Sequence, residues 1–202
     1  MRIPTGFVLF GLAAFAIVWA GAPRPAQTTP KPPPPPTRIK STMEARANQP
    51  KEPLLTWETL NPEEKSPDRK DKLVLSDEQW KARLTAEQFR ILRSHGTDPA
   101  FCGILEDNKE SGVYFCGGCD LPLFVSDTKF HSGTGWPSFF APYSRKNVWF
   151  RTDKSYGMVR VEVLCARCDG HLGHVFPDGP PPTNSRFCIN GSALQFVADK
   201  KD

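Results

Sequence analysis

Four of the six cysteines in this chain form two Cys-x-x-Cys pairs, Cys116/Cys119 and Cys165/Cys168, with 45 residues between the pairs. Each pair follows an apolar run and precedes Asp-Leu or Asp-Gly, so we expect each pair to form a turn at a strand end. Two such turns supply four thiolates, the ligand set of a closed tetrahedral zinc site. The cysteines could instead bind iron, act as two dithiols or form disulfides, but a small β domain often needs a metal link of this kind. The sequence therefore predicts one structural Zn²⁺ that joins two distant turns.

Proline and positive charge are concentrated near the N-terminus. Residues 23–53 contain ten prolines and an excess of four positive charges, whereas 19 basic and 20 acidic residues follow from Leu54 onward. The formal charge of +4 thus belongs to this stretch and not to a folded surface. We expect no nucleic-acid partner, because binding phosphates needs a basic face on the folded domain.

An apolar run from Phe7 to Trp19 follows Arg2, and no further charge occurs before Arg24. This pattern is typical of a signal peptide, and residues 3–23 are also just long enough to cross a bilayer as an uncleaved anchor. The prolines that follow favour an extended spacer without regular structure. The predicted layout is a signal peptide or membrane anchor over 1–22, a proline-rich disordered linker over 23–72, and a folded domain over 73–199.

Two capping boxes open the folded part. Ser76 and Thr85 are each followed three residues later by a glutamine, which predicts two short helices. Gly96 suits the C′ position that ends the second helix. From Gly112 onward, Gly/Pro-rich connections separate short runs that are either apolar or alternate between apolar and polar residues. We predict a mainly β fold, in which antiparallel β-sheets form a small zinc-stapled, barrel-like domain with the two helices as its cover. Strands are expected at 113–115, 148–150, 158–164, 186–190 and 194–197.

The alternating segment 186–190 carries a candidate reactive thiol. On a strand, Arg186, Cys188 and Asn190 would share one face, and the two apolar residues between them would face the core. A guanidinium beside a thiol favours the thiolate, the nucleophilic form of cysteine. A buried core cysteine explains the same pattern equally well, so this segment alone does not establish a function.

Four motifs resemble, in composition and order, those of the methionine-R-sulfoxide reductases of the B type. The resemblance covers about residues 75–197 and leaves the N-terminal segment and the proline-rich linker outside. Four ordered motifs in one domain are far more specific than any single pattern. The motifs are Cys116-Gly-Gly-Cys119-Asp, Ser132-Gly-Thr-Gly-Trp136-Pro-Ser-Phe139, Cys165-x-x-Cys168-Asp-Gly-His171-Leu-Gly-His174-Val-Phe and Arg186-Phe-Cys188-Ile-Asn190.

The resemblance implies that Cys188 attacks the sulfoxide sulfur and that Arg186 stabilises its thiolate. It also implies that Asp178 lies near the site and orients its polar network. Trp136 would offer its ring to the methyl group of the substrate, as an apolar pocket wall. A core tryptophan is the alternative for Trp136, but its glycine-rich setting favours a loop at the pocket.

His171 and His174 closely follow the second cysteine pair and could in principle be further metal ligands. Because four cysteines already saturate a tetrahedral metal, we interpret both histidines as free for proton transfer. Two structural histidines in a loop are the alternative. The resemblance implies that both histidines, together with Asn190, position water and supply the proton that lets the sulfoxide oxygen leave.

In this family a second cysteine can react with the oxidised first one, and the position of that second cysteine here departs from a common family pattern. Many members carry a cysteine at the position that Thr134 occupies here, between the two glycines before Trp136. Some members use a cysteine in the region of Cys102, the remaining unassigned cysteine. The resemblance therefore implies that Cys102 resolves the Cys188 sulfenic acid as a disulfide, which a thioredoxin-like reductant then reduces. Direct reduction of the sulfenic acid is the alternative.

The implied substrates are oxidised proteins or peptides that contain methionine sulfoxide. The N-terminal segment implies export, to a periplasm with attachment to the inner membrane, or to a eukaryotic secretory compartment or organelle. Two other classes of function compete with the reductase. One is a non-catalytic zinc-bound β domain for protein binding, and the other is a tethered thiol–disulfide oxidoreductase that works through the Cys-x-x-Cys pairs.

Overall fold

The computed structural model describes residues 42–63, 65–103 and 105–200. The predicted signal peptide or anchor over 1–22 lies outside these residues, as does most of the proline-rich stretch. No helix in the described part of the chain has the length and apolar character needed to cross a membrane.

Nine strands and three short α-helices make up the regular structure of the described residues. All strand pairs are antiparallel. One sheet has the order β2-β1-β9, and the other has the order β3-β4-β8-β7-β6-β5. The mainly β fold class predicted from the sequence is confirmed. The helices are α1 (Thr42–Ala47), α2 (Asp77–Arg83) and α3 (Ala86–Leu92). The strands are β1 (Gly112–Cys116), β2 (Pro122–Val125), β3 (Lys129–Phe130), β4 (Ser138–Phe139), β5 (Val148–Asp153), β6 (Arg160–Cys165), β7 (His171–Phe176), β8 (Arg186–Ile189) and β9 (Leu194–Ala198).

Both capping boxes form as the sequence predicts, with Ser76 capping α2 and Thr85 capping α3. The end of α3 differs from the prediction. The left-handed residue there is His95, at φ 53°, and not Gly96. The Gly96 amide instead donates to the carbonyl of Arg90 at 2.9 Å. A Cβ on Gly96 would lie 2.9 Å from that oxygen, so the glycine permits the close approach while His95 makes the turn.

Residues 42–72 were expected to be an unstructured linker, but their described part lies against the domain. Arg46 forms an ion pair with Asp127 at 2.9 Å, and Leu55 is buried in the main core. The Trp57 amide donates to the carbonyl of Thr183 at 3.1 Å. Local composition does not reveal such docking, because the partners lie far away in the sequence.

Strand β7 carries both candidate histidines on one face because of a β-bulge. Val163 of β6 pairs with Gly173, but Leu164 pairs with His171, so Leu172 is the extra residue. Histidines three positions apart would face opposite sides of a regular strand, and one inserted residue brings them to the same side. The sequence did not predict this strand, since one glycine and two histidines among six residues give little β signal without the neighbouring strands.

Gly173 lets β7 and β8 approach each other closely beside Cys188. Its φ is 154°, and a Cβ placed there would lie 2.1 Å from the carbonyl oxygen of Cys188. That oxygen belongs to the backbone of a paired strand and cannot move without breaking the pairing. Position 173 therefore accepts no side chain without a shift of the strand that carries the thiol.

We expect Gly173→Ala to lower the free energy of unfolding by about 2–4 kcal/mol, because the added methyl group must displace β8. Gly157→Ala is the matched control. Gly157 also has a positive φ, of 70°, but a Cβ there meets nothing within 4 Å. It should cost only the ~1 kcal/mol of left-handed strain. Urea unfolding at constant metal content measures both values. Equal losses would show that the contact with Cys188 is relaxed at no cost.

Candidate active site

Cys188 lies on β8, on the polar face that the sequence predicted for this strand. Its neighbours Phe187 and Ile189 are fully buried on the opposite face, whereas the thiol is partly exposed. Cys188 pairs with His174 of β7 on one side and with Ser138 of β4 on the other. The alternation predicted for this segment is confirmed.

The thiol opens into a cavity of about 120 Å³. Two aromatic side chains and several polar groups line this cavity, which is large enough for a thioether end. Trp136 is held in place because its indole Nε1 donates to the carbonyl of Asp98 at 2.9 Å. The lining residues are Thr97, Trp136, Arg160, Gly173, His174, Phe176, Cys188 and Asn190.

Arg186 lies under Phe176 and is held by Asp178. Its Nε and Nη2 donate to the two carboxylate oxygens of Asp178 at 2.9 and 3.0 Å, and its Cζ lies 4.5 Å from the centre of the Phe176 ring. The remaining nitrogen, Nη1, is buried and has no hydrogen-bond partner among the described residues. Asp178 itself is exposed and does not line the cavity, so it contacts the site only through Arg186.

Burial raises the pKa of the Cys188 thiol. The charge of Arg186 and a contact with Thr134, whose Oγ1 lies 3.9 Å from the Cys188 sulfur, act in the opposite direction. The charge of Asp178 raises the pKa further. The guanidinium thus offsets part of the cost of forming a thiolate in a confined cavity.

The two candidate histidines have different surroundings, although their ring centres are only 5.5 Å apart. His174 lines the cavity of Cys188, and its Nε2 lies 2.8 Å from Oδ2 of Asp153. His171 is buried behind it, with Nδ1 2.7 Å from Oε1 of Glu162, and does not line that cavity. Of the two histidines, only His174 therefore reaches the cavity that contains Cys188.

Asn190 lines the cavity, but its amide is engaged with the backbone. Its Oδ1 accepts from the Asp98 amide at 2.8 Å, and its Nδ2 donates to the carbonyl of Leu172 at 3.0 Å. Leu172 is the bulged residue of β7. Asn190 thus ties Asp98, whose carbonyl holds Trp136, to the bulge.

Cys102 is exposed, in a segment that passes the loop containing Thr134. The amide of the neighbouring Phe101 donates to the carbonyl of Gly135 at 2.9 Å. Gly135 follows Thr134, the residue whose hydroxyl contacts Cys188. All six cysteines are free thiols in this structure.

Phe176, Asp153 and Glu162 were not predicted from the sequence as site residues. Phe176 follows His174 by two residues, and a strand period of two could have indicated its place on the same face. The two carboxylates carry no local motif. Glu162 pairs with His174 across β6 and β7, and Asp153 lies at the end of β5.

The four paired cysteines meet in one buried cluster, and their sulfur atoms all lie within 4.8 Å of one another. The Cys116 and Cys168 sulfurs are 3.7 Å apart, and those of Cys119 and Cys165 are 3.5 Å apart. A disulfide requires ~2.05 Å, whereas sulfurs about 2.3 Å from a tetrahedral zinc are separated by about 3.8 Å. The arrangement fits a structural metal site.

The two metal turns are built alike. The Asp120 amide donates to the carbonyl of Cys116, and the Asp169 amide donates to that of Cys165, both at 2.9 Å. Both aspartates are left-handed, at φ 58° and 56°. Arg83 of α2 donates to the carbonyl of Gly118, and Arg93 at the end of α3 donates to that of Cys168, so both helices are tied to these turns. Arg167, within the second turn, donates to the carbonyl of Cys119 in the first.

The four cysteines of the cluster do not favour ionisation equally. Hydrogen bonds with the other three cysteines, together with burial, hold the pKa of Cys116 well above its usual value, whereas the effect of burial on Cys165 is outweighed by hydrogen bonds, which hold its pKa well below the usual value. Four thiolates in this buried space would need a positive charge between them.

A partly exposed thiol in a small aromatic cavity, on a β domain with a buried four-cysteine cluster that fits a structural metal, is the arrangement expected of a thiol-dependent enzyme. The model of the SelR domain matches residues 84–198. A relative from Caulobacter vibrioides, named peptide methionine sulfoxide reductase MsrB, is 59% identical over 120 residues, which cover 59% of this chain and 76% of that protein. Proteins of the same name from Agrobacterium fabrum and Thiobacillus denitrificans are 54% and 55% identical, over 62% and 60% of this chain and 93% and 92% of their own lengths.

The chain belongs to the SelR family of MsrB-type methionine sulfoxide reductases. The family and the enzyme class predicted from the four motifs are confirmed.

Arg186→Met should raise the pKa of Cys188, because it removes the positive charge that opposes the effect of burial. Asp178→Asn should lower that pKa, because it removes the negative charge. In a Cys102→Ser background, alkylation of Cys188 by iodoacetamide at pH 7.5 should therefore become several-fold slower in the first variant and faster in the second. Rates measured across pH provide the test, and slower alkylation in both variants would mean that the ion pair acts only by holding the strand.

Cys116→Ser should lose the bound metal and about 5 kcal/mol or more of folding free energy, since metal binding and folding are coupled in such sites. Metal analysis of the purified protein and urea unfolding measure the two effects. Cys102→Ser is the control and should retain one metal ion per chain. Full metal retention in Cys116→Ser would contradict a four-thiolate site.

Proposed function

We propose that this protein reduces the R epimer of methionine sulfoxide in oxidised proteins or peptides, with Cys188 as the nucleophile. The observation that carries the proposal is the partly exposed Cys188 thiol in a cavity walled by Trp136 and Phe176. The aromatic walls suit the methyl and thioether end of the substrate. Membership of the SelR family supports the same reaction.

In the first step, the Cys188 thiolate attacks the sulfoxide sulfur, and the sulfur–sulfur bond so formed breaks as the oxygen moves to the Cys188 sulfur. The sulfur–oxygen bond of the substrate breaks, the oxygen receives a proton, and the products are methionine and a Cys188 sulfenic acid. His174 supplies the proton, because it lines the cavity. Arg186 stabilises the thiolate, and Asp178 positions Arg186.

Cys102 then attacks the sulfenic sulfur, water leaves, and a Cys102–Cys188 disulfide forms. A thioredoxin-like dithiol reduces this disulfide by exchange. Two observations support Cys102 as the resolving thiol: it is exposed, and the backbone next to it is hydrogen-bonded to Gly135, beside the Thr134 that contacts Cys188.

The bound metal is a single Zn²⁺ held by Cys116, Cys119, Cys165 and Cys168, with a structural role only. Four thiolates leave no open position for substrate. Burial of all four sulfurs also argues against the rival thiol–disulfide oxidoreductase, since a reductant could not reach either Cys-x-x-Cys pair. A non-catalytic binding domain would not need the thiol of Cys188, the guanidinium of Arg160 and the ring of His174 around one cavity.

Export and a membrane tether stay predictions from the sequence. The segment on which they depend, residues 1–22, lies outside the described part of the chain.

Incubation with dithiothreitol and each epimer of N-acetylmethionine sulfoxide tests the activity directly. We expect the R epimer to be consumed and the S epimer to persist. Cys188→Ser should abolish the reaction. Cys102→Ser should keep activity with dithiothreitol but lose multiple turnover with thioredoxin, while still producing one methionine per enzyme.

Two outcomes would count against the proposal separately. Consumption of neither epimer, or of the S epimer alone, would refute the reductase assignment. Sustained thioredoxin-driven turnover in Cys102→Ser would leave the reductase intact and show that the donor reduces the sulfenic acid directly.

A further inference from the structure

Two histidine–carboxylate pairs lie side by side next to Cys188. His174 Nε2 is 2.8 Å from an oxygen of Asp153, and His171 Nδ1 is 2.7 Å from an oxygen of Glu162. The two pairs use opposite ring nitrogens. Of the two histidines, only His174 lines the cavity with Cys188.

The contacts of Asp153 are those of a carboxylate, and they indicate which nitrogen of His174 carries the proton. Arg160 Nη2 donates to its Oδ2 at 2.6 Å, and the Ser155 amide donates to its Oδ1 at 2.8 Å. Burial acts to raise the pKa of Asp153, but hydrogen bonds from Ser155, His174 and Arg160 hold it below its usual range. A carboxylate can only accept hydrogen bonds, so Nε2 of His174 must be the donor. Nδ1 has no hydrogen-bond partner among the described residues and is the nitrogen that remains free to exchange a proton.

The charge environment of His174 comes from every strand around it. Asp153 lies on β5, and Arg160 and Glu162 lie on β6. His171 lies on β7 with His174 itself, and Cys188 lies on β8. Lys154 lines the adjoining cleft. Burial lowers the pKa of His174, the hydrogen bond and charge of Asp153 raise it, and the charges of Arg160 and His171 lower it. Among these groups, Asp153 is the one that favours the protonated ring through direct contact.

We propose that Asp153 is a positioning residue for the reductase step: it holds His174 by Nε2, so that Nδ1 delivers the proton to the departing sulfoxide oxygen. The proposal rests on the reductase function proposed above. As the sulfur–oxygen bond of the substrate breaks, the oxygen bonds to the Cys188 sulfur and takes the Nδ1 proton. Neutral His174 is recharged by the proton that the Cys188 thiol releases in the next cycle.

Glu162 has a different task, although it also binds a histidine. Besides His171, its carboxylate accepts from His95 at 2.9 Å and from Arg151 at 2.8 Å. It thereby joins the turn after α3 to strands β5 and β7. This pair is structural and provides a matched comparison, in which the same isosteric change is made to a neighbouring carboxylate.

Long-range ¹⁵N NMR of histidine-labelled protein tests the positioning directly, because the chain has only four histidines. In the wild type, neutral His174 should be protonated on Nε2. Asp153→Asn should lower the pKa of His174 and give a mixture of tautomers, whereas Glu162→Gln should change the signals of His171 and leave the tautomer of His174 in place. An unchanged tautomer and pKa in Asp153→Asn would overturn the proposal.

Kinetics supply the second readout. In Asp153→Asn, single-turnover reduction of N-acetylmethionine (R)-sulfoxide should slow by about tenfold at saturating substrate, less than the ~10²-fold or greater loss expected for removal of the proton donor itself. KM should change little, because the thioether pocket is intact. An unchanged rate, or a loss confined to KM, would refute the positioning role. An inactive wild type would instead refute the reductase function and leave the NMR result interpretable.

Discussion

The contact among four buried cysteine sulfurs connects both sheets and two of the helices. Cys116 ends β1 of the three-stranded sheet, and Cys165 ends β6 of the six-stranded sheet, so the cluster joins the two sheets at their ends. Arg83 and Arg93 fasten α2 and α3 to the same turns. A domain with short strands and helices of six or seven residues gains little stability from local structure alone. A metal bound at this point would therefore hold all of its layers together and fix the position of β7, which begins three residues after Cys168.

The geometry at the reactive thiol follows from irregularities of β7. The bulge at Leu172 turns both histidines to one face, and Gly173 allows β8 to approach where a side chain would collide with Cys188. Asn190 binds the carbonyl of the bulged residue and thereby fixes the distortion from the neighbouring chain segment. Small departures from a regular sheet thus place the thiol, the ring of His174 and the aromatic walls around a cavity of about 120 Å³.

Charges around the site occur in pairs, and each pair limits the effect of burial on one group. Burial disfavours both a thiolate at Cys188 and an imidazolium at His174. Arg186 opposes the first effect and Asp153 the second. Asp178 and Arg160, in turn, hold these two groups in place. A sulfoxide reduction needs a thiolate and a proton donor at the same time, and the paired charges make both accessible within one small cavity.

Features with a local pattern were predictable from the sequence: the paired cysteines from their spacing, the face of β8 that carries Cys188 from alternation, the helix starts from their capping boxes, and the family from four ordered motifs. Three features became visible only in the folded chain: which histidine reaches the cavity, that Asp153 and Glu162 each hold one of the histidines, and that Arg46 and Leu55 dock a segment predicted to be a free linker. The physical reason is that these contacts depend on strand register, on a one-residue bulge and on packing between distant segments. Short-range periodicity fixes which face a side chain occupies, and long-range pairing fixes what lies opposite that face.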